Sequence, residues 1–128
     1  GSNEGDVCIL SSGYMLSRAL NVAEKLKAAN INASVVDVFK IKPLDAEELK
    51  EVIGLHTNIV TLEEQTLFGG FGSAICEALC DAEYLIPILR LGLPEKYIFE
   101  NGSRDHLLDT HGLSEEAIYE SVVKFLKG

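Results

Sequence analysis

Val7-Cys8-Ile9-Leu10, halted by Ser11-Ser12-Gly13, is the stretch on which the reading of the fold turns. Four apolar residues in a row leave no polar face, the pattern of a strand covered on both sides in a parallel sheet. Such a strand needs helices above and below it, and the next segment supplies one. Met15, Ala19, Val22, Leu26 and Ala29 recur at steps of four and three, with Leu16, Leu20 and Ala23 widening the stripe. Asn30 is placed for a left-handed stop. Ala33-Ser34-Val35-Val36-Asp37-Val38 then reads as a second buried strand, reached by a parallel crossover.

The same alternation runs to the end of the chain. Pro43 in Ile41-Lys42-Pro43-Leu44 forces a connection, because it pushes the preceding residue out of the α region. Asp45 and Glu48 resemble a capping box for a short helix that buries Leu49, Val52 and Ile53 and ends at Gly54. Asn58 to Leu62 is the expected third strand. After Glu63-Glu64-Gln65 and the glycine cluster Gly69-Gly70-Phe71-Gly72-Ser73, a helix carries Ala74, Ile75, Ala78 and Leu79 inward. Ile86 to Leu91 is the fourth strand. Two helices follow, one from a Ser103 cap to His111-Gly112 and one from a Ser114 cap, with Ile118, Val122 and Phe125 inward. Glu115 and Glu116 lead that last helix and Lys124 and Lys127 trail, the order that its dipole favours. The expected class is α/β, a three-layer α/β/α sandwich on a mostly parallel sheet.

A chain of 128 residues, 47% hydrophobic and 24% charged, is one ordinary globular domain and excludes disorder. Its net charge of −9 repels phosphate backbones and anionic lipid, which argues against nucleic acid and membrane surfaces as partners. Three cysteines cannot pair evenly and read as thiols of a reducing compartment, so a soluble cytoplasmic protein is expected. Gly1-Ser2 resembles the remnant of a cleaved tag; residues 1–4 are read as remnant and linker, and 5–128 as the domain.

Ligands of open α/β sheets gather at the carboxyl ends of the strands, so the loops there are the places to look for chemistry. Ser11-Ser12-Gly13-Tyr14 could offer hydroxyls and amides to a phosphate, but helix capping already uses such oxygens. The glycine cluster fits neither nucleotide template: a dinucleotide fingerprint would want Gly at 75, where Ile75 stands, and a P-loop would want Lys at 72. Glu63 and Glu64 add negative charge beside it, and as neighbours on a strand they point to opposite faces, which excludes a catalytic dyad. Cys76 and Cys80 lie four apart but lack two further metal ligands, and read as small buried hydrophobes, as does Cys8. His106, Asp109 and His111 lack metal-site spacing. The glycines are therefore read as permitting close approach to another surface, with Glu63, Glu64, Gly69, Gly70, Phe71 and Gly72 as the candidate docking stretch and no catalytic, cofactor or metal residues. The alternative is a free-standing module that holds a small phosphorylated ligand.

At Phe39-Lys40-Ile41-Lys42-Pro43-Leu44-Asp45, Ile59-Val60-Thr61-Leu62-Glu63-Glu64 and Gly69-Gly70-Phe71-Gly72-Ser73-Ala74, the chain resembles the C-terminal domain of transketolases. The likeness continues through Ser103-Arg104-Asp105-His106-Leu107-Leu108 and Gly112-Leu113, covering about Asp6 to Val123. Deoxyxylulose-phosphate synthases and the beta subunits of 2-oxoacid dehydrogenases carry related patterns; the Ile-Lys-Pro-Leu-Asp form leans toward transketolase. Gln65 departs from the many transketolases with His after the acidic pair. The resemblance implies a five-stranded sheet with one antiparallel strand, and a parent enzyme that moves two-carbon ketol units between sugar phosphates with thiamine diphosphate and Mg²⁺. It implies also that cofactor, metal and the activating Glu sit on other domains. This domain would then bind no cofactor, be inactive alone, and pack against the remaining domains or subunit of a homodimeric parent in a structural, dimer-supporting or regulatory role.

Overall fold

A computed structural model of the chain describes residues 5–11, 13–38, 49, 51, 53–54, 56–66, 71–81, 83–84, 86–93 and 112–128. Among these lie four strands, β1 (Val7–Ser11), β2 (Ala33–Asp37), β3 (Ile59–Thr66) and β4 (Ile88–Leu93). The helices are α1 (Leu16–Ala28), α2 (Phe71–Asp81) and α3 (Glu115–Lys127). The strands pair in parallel in the order β2-β1-β3-β4. No antiparallel fifth strand is present among the described residues, and the penultimate helix, expected over 103–111, lies outside them, as does most of the segment around Asp45. Leu49, Glu51 and Ile53 are helical, as expected there.

The unbroken apolar run of β1 is buried along its whole length because helices do cover both faces. Side chains on a strand alternate between faces. Val7 and Ile9, with Val60 and Leu62 from β3, meet Ala19, Val22 and Leu26 of α1 and Ile118 and Val122 of α3. Cys8, Leu10 and Ile59 point the other way, onto Leu49, Ile53, Ile75 and Leu79. The result is the expected three-layer sandwich. Each fully buried Ile or Leu in it contributes about 1.5–3 kcal/mol of transfer free energy.

Helix ends follow local chemistry. Asn30 has φ 64°, and the amides of Asn30 and Ile31 donate to the carbonyls of Lys27 and Leu26, a Schellman stop with Ile31 packed on the core. Ser114 caps α3 by accepting the Ala117 amide at 3.1 Å. Arg18 donates to the Leu113 carbonyl at 2.7 Å and Lys25 to Glu116 at 3.1 Å, tying α1 to the start of α3; the second contact is exposed and adds little. At the amino end of the sheet, Asp6 accepts the Asn32 amide on its carboxylate, and its carbonyl accepts from Thr57 and Asn58.

Several expectations change. Ser11 does not cap α1: a 3-10 turn over Gly13–Met15 moves the helix start to Leu16, and the Ser11 hydroxyl donates instead to the Leu62 carbonyl of β3 at 3.0 Å. β3 runs on to Thr66, past the expected end at Leu62, and α2 begins at Phe71, inside the glycine cluster. β4 starts after Pro87, which has no amide to donate. Leu20 is 51% exposed rather than part of the α1 stripe.

The cysteines separate. Cys8 is buried, and burial pushes its thiol pKa up to about 12. Cys76 is half-buried and Cys80 exposed, contrary to the expectation that both are buried. Ile75 and Leu79 take the inward stripe of α2, and the next residue along a helix is turned away by roughly 100°.

Two outcomes follow from this packing. Native-state labelling with a maleimide should modify Cys80 first, Cys76 more slowly, and Cys8 only on unfolding; rapid modification of Cys8 would contradict the buried β1. Ser114→Ala should lower stability by about 1 kcal/mol in denaturant titration, the ordinary cost of a lost cap.

Candidate functional site

The carboxyl end of β3 is irregular. Ile59 to Leu62 pair residue for residue with Ile88 to Leu91, yet the next partner of Leu93 is Thr66, so β3 carries extra residues between them. Glu63 opens that bulge. By alternation it shares a face with Ile59 and Thr61, the face that α2 covers, and its side chain is 3% exposed. A carboxylate this deep needs a counter-charge, and Arg90 supplies it: Nη2 lies 3.8 Å from Glu63 Oε2. Arg90 comes from β4, where it is register partner of Thr61, and is 29% exposed.

Gly72 closes the cluster from above. It sits in the first turn of α2, and a Cβ there would lie 2.5 Å from Glu63 Oε2, 2.9 Å from Arg90 Nε and 3.0 Å from Thr61 Oγ1. The absent side chain is thus the space in which three polar groups from two strands meet one helix. The carboxylate also faces the positive end of the α2 dipole. The Thr61 hydroxyl is buried without a hydrogen-bond partner among the described residues.

Of the candidate docking stretch, Glu63 and Gly72 are brought together inside the domain. Glu64 continues β3 and Phe71 begins α2, while Gly69 and Gly70 lie outside the described residues, as do His106, Asp109 and His111. Arg90 and Thr61 were missed from sequence. The available signal was Arg90 itself, a lone charge in the apolar run Ile88-Leu89-Arg90-Leu91.

The site's chemistry is that of an internal ion pair. Among the described residues no group of three His, Cys, Asp or Glu could hold a metal ion. A diphosphate would seek the amino end of a helix after a strand, but at α2 that place faces the Glu63 carboxylate, and at α1 the Ser11 hydroxyl is engaged with β3. These residues do not fit a diphosphate and its Mg²⁺. A separate groove of about 710 Å³ runs between β4 and α3, lined mainly by Pro87, Leu89, Leu91, Phe125 and Leu126. No helix among the described residues is long and apolar enough to cross a membrane.

Comparison with known proteins gives this geometry its context. The chain is 34% identical to a 1-deoxy-D-xylulose-5-phosphate synthase of Clostridium tetani, over 97% of its own length and 20% of the relative's. With the synthase of Mannheimia succiniciproducens the identity is 40%, over 95% of the chain and 19% of the relative. The chain thus spans about a fifth of these curated relatives. A solved split-gene transketolase, described as an inactive beta4 tetramer, matches with a TM-score of 0.82 and 38% identity, over 98% of this chain and 41% of that one. A transketolase from Pichia stipitis shares the fold, with a TM-score of 0.64 at 18% identity, over 98% of this chain and 17% of that one. Residues 2–118 match the family model described as "Transketolase, C-terminal domain", and the chain belongs to that family.

Proposed function

We propose that this chain is the non-catalytic C-terminal domain of a thiamine-diphosphate-dependent, transketolase-type transferase that moves two-carbon ketol units between sugar phosphates. The observation that supports it best is the internal use of the strand ends: Glu63, Arg90 and Gly72 fill with protein groups the place where an α/β enzyme keeps its ligand. Thiamine diphosphate and Mg²⁺ belong, in this reading, to the remaining domains or subunit of a cytoplasmic, dimeric parent. The domain comprises residues 5–128. Its task is structural, dimer-supporting or regulatory, with Glu64, Gly69, Gly70 and Phe71 as the docking stretch, which in sequence lies between the buried Glu63 and Gly72.

A deoxyxylulose-phosphate synthase parent is the second reading, favoured by identities of 34% and 40% to curated synthases. The Ile-Lys-Pro-Leu-Asp stretch and the split-gene transketolase at 38% favour the first. Assay of the full-length or reconstituted enzyme with ketose donors against two-oxoacid donors separates the two.

The isolated chain should give no saturable heat when titrated with thiamine diphosphate and Mg²⁺; micromolar binding would overturn the assignment of the cofactor to other domains. Gly70→Ala in the full-length enzyme should weaken assembly, read as dimer dissociation by sedimentation, and lower activity in proportion. Unchanged assembly with loss of binding to a phosphorylated ligand would favour a binding module instead.

A further inference from the structure

The groove between β4 and α3 opens toward the amino end of the sheet, at Asn58 and Pro87, away from the docking stretch that follows the carboxyl end of β3. Leu89 and Leu91 are register partners of Val60 and Leu62, so they face the layer of α1 and α3. β4 is the last strand in the order among the described residues, and α3 covers these leucines only in part: Leu89, Leu91, Phe125 and Leu126 are all half-buried. Four large apolar side chains along one groove of about 710 Å³ differ from the lone exposed Leu20, which needs no explanation. Among the described residues that line the groove, Lys124 carries the only charged side chain, and it is exposed. It makes no ion pair with another described residue, whereas Lys25 meets Glu116. Whatever covers the groove also strips water from that ammonium group, and burying a charge without a partner is costly. The covering surface therefore needs apolar side chains opposite the leucines and a carboxylate opposite Lys124. A second copy of the chain meets this need poorly: each copy carries a net −9, and a two-fold contact centred on the groove sets two Lys124 side chains against each other.

We propose that this groove is a second docking site, and that its occupant is an apolar segment of the parent enzyme, from outside these 128 residues, that carries a carboxylate opposite Lys124. The chain spans about a fifth of the curated synthases it matches, so most of such an enzyme is available to supply that segment. An apolar centre with a polar, charged rim is also the ordinary anatomy of a protein contact. The inference rests on the reading of this chain as one domain of a larger enzyme, and adds to it a face, an occupant chemistry and a charged contact.

The test compares the isolated chain with the full-length or reconstituted enzyme by carbene footprinting. Leu89, Leu91, Phe125 and Leu126 should label readily in the isolated chain and be protected by about fivefold or more in the enzyme, as in the water-excluding centre of an interface. Lys124→Glu sets like charge against the occupant's carboxylate, so in the enzyme labelling should return toward the level of the isolated chain. The isolated chain carrying that substitution should keep its melting temperature within about 5 °C of wild type, since only an exposed helix-end charge has changed. Lys124→Arg should retain the protection. Lys27→Glu, exposed in the last turn of α1, makes the same change against a helix dipole away from the groove and should retain it too. Equal labelling in the isolated chain and the enzyme would sink the proposal, as would protection that survives Lys124→Glu. Protection already present in the dilute isolated chain would assign the groove to this chain's own residues, and protection that appears only as its concentration rises would assign it to a second copy; either result overturns the proposed occupant. Failure here leaves the broader reading standing, because cofactor titration of the isolated chain tests that reading without reference to the groove.

Discussion

The burial of β1 on both faces is the constraint from which the rest of the domain follows. A strand with no polar face has to be roofed and floored, so the chain must alternate strand and helix, and the helices must divide between two layers. α1 and α3 take one side, while α2 and the helical residues near Leu49 and Ile53 take the other. Parallel pairing then collects the carboxyl ends of the strands on one edge. The Glu63–Arg90 pair is located where that plan meets its hardest point, the end of a strand that is longer than its neighbour's register allows.

Much of this was legible in local pattern. The β1 run, the Asn30 stop and the Ser114 cap each depend on residues within about two helical turns of one another and have the expected form, and the α1 stripe has it at Met15, Ala19, Val22, Ala23 and Leu26 though not at Leu20 or Ala29. What escaped depends on distance. Glu63 reads as part of a docking stretch until Arg90, on another strand, is placed beside it, and the glycine cluster reads as a turn until Gly72 is seen close to that pair. Cys80 illustrates the same limit on a smaller scale: only the competing inward stripe of Ile75 and Leu79 decides that it faces water. The Ser11 hydroxyl likewise found its partner, the Leu62 carbonyl, across the sheet rather than along the chain.

The strand ends of an α/β domain are the usual seat of ligand chemistry, and here they illustrate how that seat is reused. A carboxylate takes the place at the helix start that a phosphate would favour, an arginine neutralises it, and a glycine lets the helix close over both. The chain belongs to the transketolase C-terminal domain family and spans about a fifth of the curated synthases it matches.

Gly72 also constrains how this chain can change over generations. A side chain at that position needs the space that the Glu63 carboxylate, the Arg90 guanidinium and the Thr61 hydroxyl now occupy. Losing Arg90 removes the counter-charge of a buried carboxylate, and a Cβ at 72 requires the ends of the Glu63 and Arg90 side chains to move aside. A change at any one of the three therefore disturbs the other two. A residue other than glycine at 72 therefore comes with a rearrangement of the Glu63 and Arg90 side chains at the end of β3.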